Sequence, residues 1–241
     1  MRTVLVTGGT RGIGASCVEW FLAQGDRVAT TFRGQDPPNF PTGASADTFL
    51  PVSCDITDPE QVDAAFTKIE ETWGPVEVLI SNAGITRDTL VLRMSEESWQ
   101  EVIDTNLTGS FRVAKRAIAK MLRLHTGRIV FISSVGAYVG LPGQANYAAS
   151  KAGLVGMARA LAREVSSRSI TVNVVAPGII STDMTATLGE DRIEKMVAMI
   201  PLGRAGAGQD IAQAVGFLAS SDAAYITGAV LPVDGGLGMG L

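Results

Sequence analysis

Short runs of β-branched and aliphatic residues alternate along this chain with longer stretches in which apolar residues return every three or four positions. The runs predict strands at 3–7, 27–32, 49–53, 76–80, 128–132, 170–175 and 229–233. The periodic stretches predict helices at 13–24, 59–73, 98–123, 148–166 and 208–219. Strands that are nearly continuously apolar and alternate with helices are the pattern of βαβ units, covered on both faces. Right-handed crossovers then make the expected architecture an α/β fold, a doubly wound parallel sheet of seven strands with helices on both faces.

Two segments break the alternation. Residues 34–46, with Pro37, Pro38 and Pro41, read as a loop too short to separate domains. Residues 183–207 are polar and glycine-punctuated, with helical pieces such as 192–199, and read either as a substrate lid or as a surface insertion. With 46% hydrophobic and 18% charged residues, the composition fits one globular domain over 1–241.

The 20 basic and 24 acidic side chains leave a net charge of -4, so no overall field gathers nucleic acid or an anionic membrane, and neither partner is expected. The first predicted strand follows Met1 directly and no apolar run reaches spanning length, so the expectation is a cytoplasmic protein without a signal peptide. Cys17 and Cys54 are too few for a disulfide framework or a structural zinc site. A histidine-based triad would rest on His125 alone, and no ligand set for a metal is expected.

The chemistry is concentrated elsewhere. Thr7-Gly8-Gly9-Thr10-Arg11-Gly12-Ile13-Gly14 leaves the first strand and opens the first helix. In that context Gly8 permits a tight turn, Gly12 lets backbone approach a pyrophosphate, and Gly14 lets the helix pack closely, while the helix N-terminus offers free N–H groups to phosphate. Gly8, Thr10, Arg11, Gly12, Ile13 and Gly14 are therefore candidate dinucleotide ligands. At the end of the second strand, where NAD binders hold the ribose hydroxyls with a carboxylate, stands Arg33, with Arg11 in the cradle itself. Two guanidiniums suit a 2′-phosphate and favour NADP(H), although either can also be an ordinary solvated side chain.

Tyr147 and Lys151, in Tyr147-Ala148-Ala149-Ser150-Lys151, are four apart at a helix start and project from one face. A free phenol with a pKa of about 10 is a poor base, and a nearby ammonium together with the positive charge of oxidised nicotinamide is expected to bring it closer to the useful range. Ser134 lies just past the C-terminal end of the fifth predicted strand, where its hydroxyl can hold a substrate oxygen against Tyr147. Asn106 lies inside a helical pattern where asparagine is locally unfavourable.

The cradle spacing Thr-Gly-x-x-x-Gly-x-Gly, with Asn106, Ser134, Tyr147 and Lys151 in this order, resembles the short-chain dehydrogenase/reductase family over essentially the whole chain. The resemblance implies a Rossmann-type fold and a catalytic tetrad of Asn106, Ser134, Tyr147 and Lys151. Asn106 would hold a water linked to Lys151, and Lys151 would also reach the nicotinamide ribose. It further implies adenine binding at Asp55, contacts to the adenine ribose from Asn82, Ala83 and Gly84, and a nicotinamide loop of Pro177, Gly178, Ile180 and Thr182. Ser81 departs from the family's usual asparagine and is not carried over.

Within that family Gly143–Gly153, Ala162–Val165, Thr171–Gly178 and Pro232–Gly240 look like bacterial 3-oxoacyl-acyl-carrier-protein reductases, the actinobacterial and mycobacterial members above all. The likeness implies NADPH-dependent reduction of a 3-oxoacyl thioester, carried on acyl-carrier protein or CoA, in fatty acid synthesis by a homotetramer. Arg168 matches an arginine of the family's carrier-docking face; His125 stands where another is common, with Arg123 and Arg128 as possible substitutes. The small residues of the helix after Tyr147 suit close packing, across a subunit interface or against the chain's own sheet. Acetoacetyl-CoA reductase, polyketide ketoreductase, another short-chain alcohol dehydrogenase, and a cofactor-binding protein without catalysis are the alternatives.

Overall fold

In the computed structural model, which describes residues 1–34, 37–181, 194 and 197–239, the strands are β1 (Thr3–Thr7), β2 (Arg27–Phe32), β3 (Phe49–Ser53), β4 (Val78–Ser81), β5 (Gly127–Ile132), β6 (Ile170–Pro177) and β7 (Val230–Val233). They form one sheet in the order β3-β2-β1-β4-β5-β6-β7, every neighbouring pair parallel. The helices are α1 (Gly12–Ala23), α2 (Pro59–Trp73), α3 (Glu96–Ile103), α4 (Ser110–Leu124), α5 (Gly136–Val139), α6 (Ala145–Val165) and α7 (Gly208–Leu218).

Each strand divides its apolar residues between two cores, as the two-residue strand period requires. Leu5, Ile129 and Phe131 face α2, α4 and α6, while Val4, Val6, Val130 and Ile132 face α1 and α7. The α1–α7 contact is close because Gly208 and Gly216 present no side chain to Ser16 and Trp20. None of the described helices is long and apolar enough to cross a membrane.

The expected helix 98–123 differs in two respects. It starts at Glu96, and Asp104–Gly109 between α3 and α4 winds as a π-helix. Such wider turns are rare in globular proteins and collect at functional sites. The helix expected at 148–166 begins three residues earlier, at Ala145, so Tyr147 lies in its first turn.

The loops after β1, β4, β5 and β6 all leave the carboxyl edge of the sheet. From β1 the chain proceeds to β2 and β3 on one side, and β4 to β7 lie on the other. That reversal opens a crevice between the β1 and β4 loops, where open α/β sheets bind ligands.

Candidate active site

The cradle is shaped by space as much as by conformation. Gly8 and Gly12 have φ of +65° and +54°, in the left-handed region where a side chain is disfavoured. Gly14 is needed for a different reason: a Cβ there would stand 2.3 Å from the Gly8 carbonyl oxygen and 2.6 Å from Asn82 Nδ2. It keeps α1 against the loops that follow β1 and β4, a more local task than packing on the sheet. Gly9, not singled out from the sequence, abuts Thr30 and Val18 just as tightly. Arg11 occupies the cap position of α1, and Thr10 and Arg11 are exposed, whereas Ile13 packs against the α1–α7 core.

Three threonines hold this loop. Thr31 Oγ1 accepts from Gly8 N at 3.1 Å, Thr30 Oγ1 accepts from Gly9 N at 2.9 Å, and Thr30 Oγ1 donates to Val6 O at 3.0 Å. Thr7 Oγ1 accepts from both Asn82 N and Ala83 N at 3.0 Å, and Asn82 Nδ2 donates to Thr7 O and Gly8 O. Asn82 and Ala83 thus bind the β4 loop to the β1 loop. The signal for the threonines was their place as polar residues inside apolar strands.

Arg33 and Asp55 meet at the ends of β2 and β3. Arg33 Nη1 lies 3.7 Å from Asp55 Oδ2, and the Arg33 side chain is 59% exposed, hence open to a further anion. Burial pushes the Asp55 carboxyl up, but two hydrogen bonds from Thr57 and the Arg33 charge outweigh it and hold the group below its ordinary value.

Asn106, Ser134, Tyr147 and Lys151 come together at the carboxyl ends of β4 and β5. Lys151 is 4% exposed, donates to Ile132 O at 2.8 Å, and holds its Nζ 5.7 Å from the centroid of the Tyr147 ring. Burial lowers its pKa to about 8. The expected acidification of Tyr147 is not what this geometry gives: burial raises the phenol above its ordinary value, and a hydrogen bond from Ser134 only partly offsets that. Desolvation of the phenolate outweighs what a lysine turned towards the Ile132 carbonyl supplies. Ser134 Oγ accepts from Gly136 N at 3.1 Å, which fixes its rotamer.

Asn106 is fully buried in the π-helical turn. Its Oδ1 accepts from Ile85 N at 2.8 Å, and its Nδ2 donates to Ile85 O and Ser150 Oγ, both at 3.0 Å. Gly84 fits beside it because a Cβ there would stand 3.1 Å from Asn106 Oδ1 and 3.3 Å from Lys151 Nζ. Residues with no sequence signal of their own complete the shell. Asn146 Oδ1 accepts from Tyr147 N at 2.7 Å, and Ser133 Oγ donates to Lys151 O at 2.8 Å.

At the end of β6, Pro177 O accepts from Val135 N at 2.8 Å, and in the loop that follows Gly178 is pressed against Asp234, 2.6 Å from its ideal Cβ position to Asp234 Cα. The Ile180 side chain is buried and the residue pairs with Gly206 in a parallel bridge. Thr182, with 183–193 and 195–196 of the proposed lid, falls outside the described residues. The far end of that segment is anchored: Leu202 N donates to Gly235 O at 3.1 Å, and Ile200 is buried. Among the described residues no cluster of His, Cys, Asp or Glu is set to hold a metal.

Known proteins match along the whole length. A family model described as enoyl-(acyl carrier protein) reductase matches residues 8–238. The 3-oxoacyl-[acyl-carrier-protein] reductase MabA of Mycobacterium tuberculosis is 52% identical over 239 residues, 99% of this chain and 94% of the relative. The corresponding reductase FabG of Escherichia coli is 46% identical over 241 residues, 99% of this chain and 98% of the relative.

Proposed function

Since the chain belongs to the short-chain dehydrogenase/reductase family of oxidoreductases, we propose that it is an NADPH-dependent reductase of 3-oxoacyl thioesters, yielding 3-hydroxyacyl thioesters for fatty acid synthesis. The observation that carries this reading is the convergence of Ser134, Tyr147 and Lys151 beside a glycine cradle at the switch point of the sheet.

The cradle glycines leave room for a pyrophosphate on the N–H groups of α1, and NADPH bound there supplies the hydride for the carbonyl carbon. Asp55 would hold the adenine, and Asn82, Ala83 and Gly84 would border its ribose. Pro177, Gly178 and Ile180 would hold the nicotinamide end, a task to which the family resemblance also assigns Thr182. Tyr147 gives its phenolic proton to the ketone oxygen as negative charge develops there. Ser134 donates to the same oxygen and holds it in line with the phenol. Lys151 holds positive charge behind Tyr147 and favours the phenolate left once the proton has gone to the substrate oxygen. Two donors aimed at one oxygen suit a ketone. Reduction of an enoyl double bond, the reaction named in the description of the matching family model, needs its proton at carbon. Following NADPH absorbance with 3-oxoacyl and 2-enoyl thioesters on acyl-carrier protein and on CoA separates these readings. Faster turnover of the 3-oxoacyl compounds is expected, and reaction of the enoyl thioesters or of simple ketones alone would overturn the assignment.

Arg33, exposed at the end of β2, is assigned to the 2′-phosphate with Arg11. Arg33→Asp is expected to raise KM for NADPH roughly thirtyfold and to leave NADH within a few fold, the size of one charge-assisted bidentate contact. Equal loss with both cofactors would move the 2′-phosphate site elsewhere.

Carrier docking is assigned to the lower ends of α4 and α6, where Arg168 Nη1 donates to His125 Nε2 at 2.6 Å, with Arg123 exposed nearby. Arg128 donates to the carbonyls of Gly127, Ser169 and Ser220, the second of these next to Arg168 in the chain. Ala149, Ala152, Gly156 and Ala160 form an exposed stripe of small residues on α6, which supports a homotetramer assembled across that face. Residues 183–207 are read as a lid over the substrate, and the reaction is assigned to the cytoplasm.

A further inference from the structure

The geometry points to Ser150 as a positioning residue that couples the Asn106 amide to the main chain of Tyr147 and thereby fixes where the phenol stands. It rests on the assignment of Tyr147 as proton donor. Ser150 is fully buried and lies one residue before Lys151 in α6, with no route to a substrate. Its Oγ donates to Tyr147 O at 2.7 Å and accepts from Asn106 Nδ2 at 3.0 Å. The first bond is an ordinary back-bond of a helical serine to the preceding turn. The second comes from 44 residues away in the chain and is the unusual one.

Asn106 has no spare capacity to replace it. Its carbonyl oxygen takes Ile85 N, and its two amide protons go to Ile85 O and Ser150 Oγ. The π-helical turn presents Asn106 at this height, and Ser150 carries that position into α6. On the other side of Tyr147 the N–H is held by Asn146 Oδ1. Both peptide units of the proton donor are therefore pinned by buried side chains. Lys151 O is held in the same way by Ser133 Oγ.

Ser150→Ala removes one oxygen and no packing volume of consequence, but leaves a buried Asn106 N–H without an acceptor. A donor displaced by a fraction of an ångström loses much of its rate. Expected is a roughly tenfold fall in kcat for thioester reduction, with KM for NADPH and for substrate within about twofold. In the Asn106→Ala background the same change should add less than about twofold, because the bond is already gone. A second measurement needs no substrate. With only three tyrosines in the chain, ultraviolet titration of tyrosinate, with Tyr147→Phe as the blank, reads the Tyr147 phenol directly. Ser150→Ala should displace that titration by about half a pH unit or more, through the altered contact with Ser134. If kcat and the titration both match wild type, or if the two substitutions act additively, the inference is overturned. Should Ser150→Ala fail to fold, Asn106→Ala takes its place in the titration, and an unmoved phenol again refutes the coupling. An enzyme inactive on every thioester while the titration still shifts would refute the proposed function and leave this coupling standing.

Discussion

Tyr147→Phe is expected to lower kcat for thioester reduction about a thousandfold while KM for NADPH changes by less than threefold. Losing a positioned general acid costs about 10²–10⁴ in rate, or about 3–5 kcal/mol of barrier. The ring stays in place, since Phe retains its volume, and only the proton and its bond with Ser134 are lost. The phenol is also the correct form for reduction at neutral pH, because burial keeps it above its ordinary value and thus protonated. The pH dependence belongs to Lys151. Its pKa is lowered to about 8, so its positive charge is present below that pH and lost as pH rises through it. kcat/KM should therefore be level through neutrality and decline above about pH 8, a profile that reports groups of the free enzyme. Single-turnover NADPH oxidation at saturating substrate checks the first claim; more than a tenth of wild-type kcat in Tyr147→Phe would assign the proton to another group.

How far this was legible in the sequence depended on whether the signal was local. The ranges 3–7, 27–32 and 49–53 coincide with β1, β2 and β3, because short apolar runs between polar or turn-forming segments are local patterns. The π-helical turn at 104–109 was not, since a widened turn leaves the apolar period on either side almost unchanged. Asn106 was its one visible trace. Tyr147 and Lys151 were readable because four residues on a helix share a face. Thr7, Thr30 and Thr31 showed only as polar residues inside apolar strands, and Ser133, Asn146 and Ser150 not at all, because the contacts by which they hold the cradle and the tetrad are set by the assembled fold. The direction of the Tyr147 shift was missed for a related reason. Sequence shows that a cation is four residues away, but how much solvent the phenol loses is a property of the assembled fold.

Gly14→Ala separates conformational from steric need in the cradle, and it is expected to weaken NADPH binding about a hundredfold and to lower Tm. Gly14 is inside α1 and carries no positive φ, so by helix propensity alone the added methyl would stabilise by up to about 1 kcal/mol. Space opposes it. The methyl carbon would lie 2.3 Å from Gly8 O, 2.6 Å from Asn82 Nδ2 and 2.9 Å from Gly9 Cα, and two of these three neighbours are backbone. Relief requires α1 to move off the β1 loop or Asn82 to leave its bonds with Thr7 O and Gly8 O. Overpacking of this kind costs about 1–3 kcal/mol or more, which exceeds the propensity gain. Either relaxation turns the N–H groups of α1 away from the phosphates they are meant to meet, and about 2.7 kcal/mol lost there is the hundredfold. Calorimetric titration with NADPH, beside a thermal melt without it, measures both effects. An unchanged Kd in Gly14→Ala would mean that the cofactor does not use this helix end, and the cradle would have to be read as a purely structural turn.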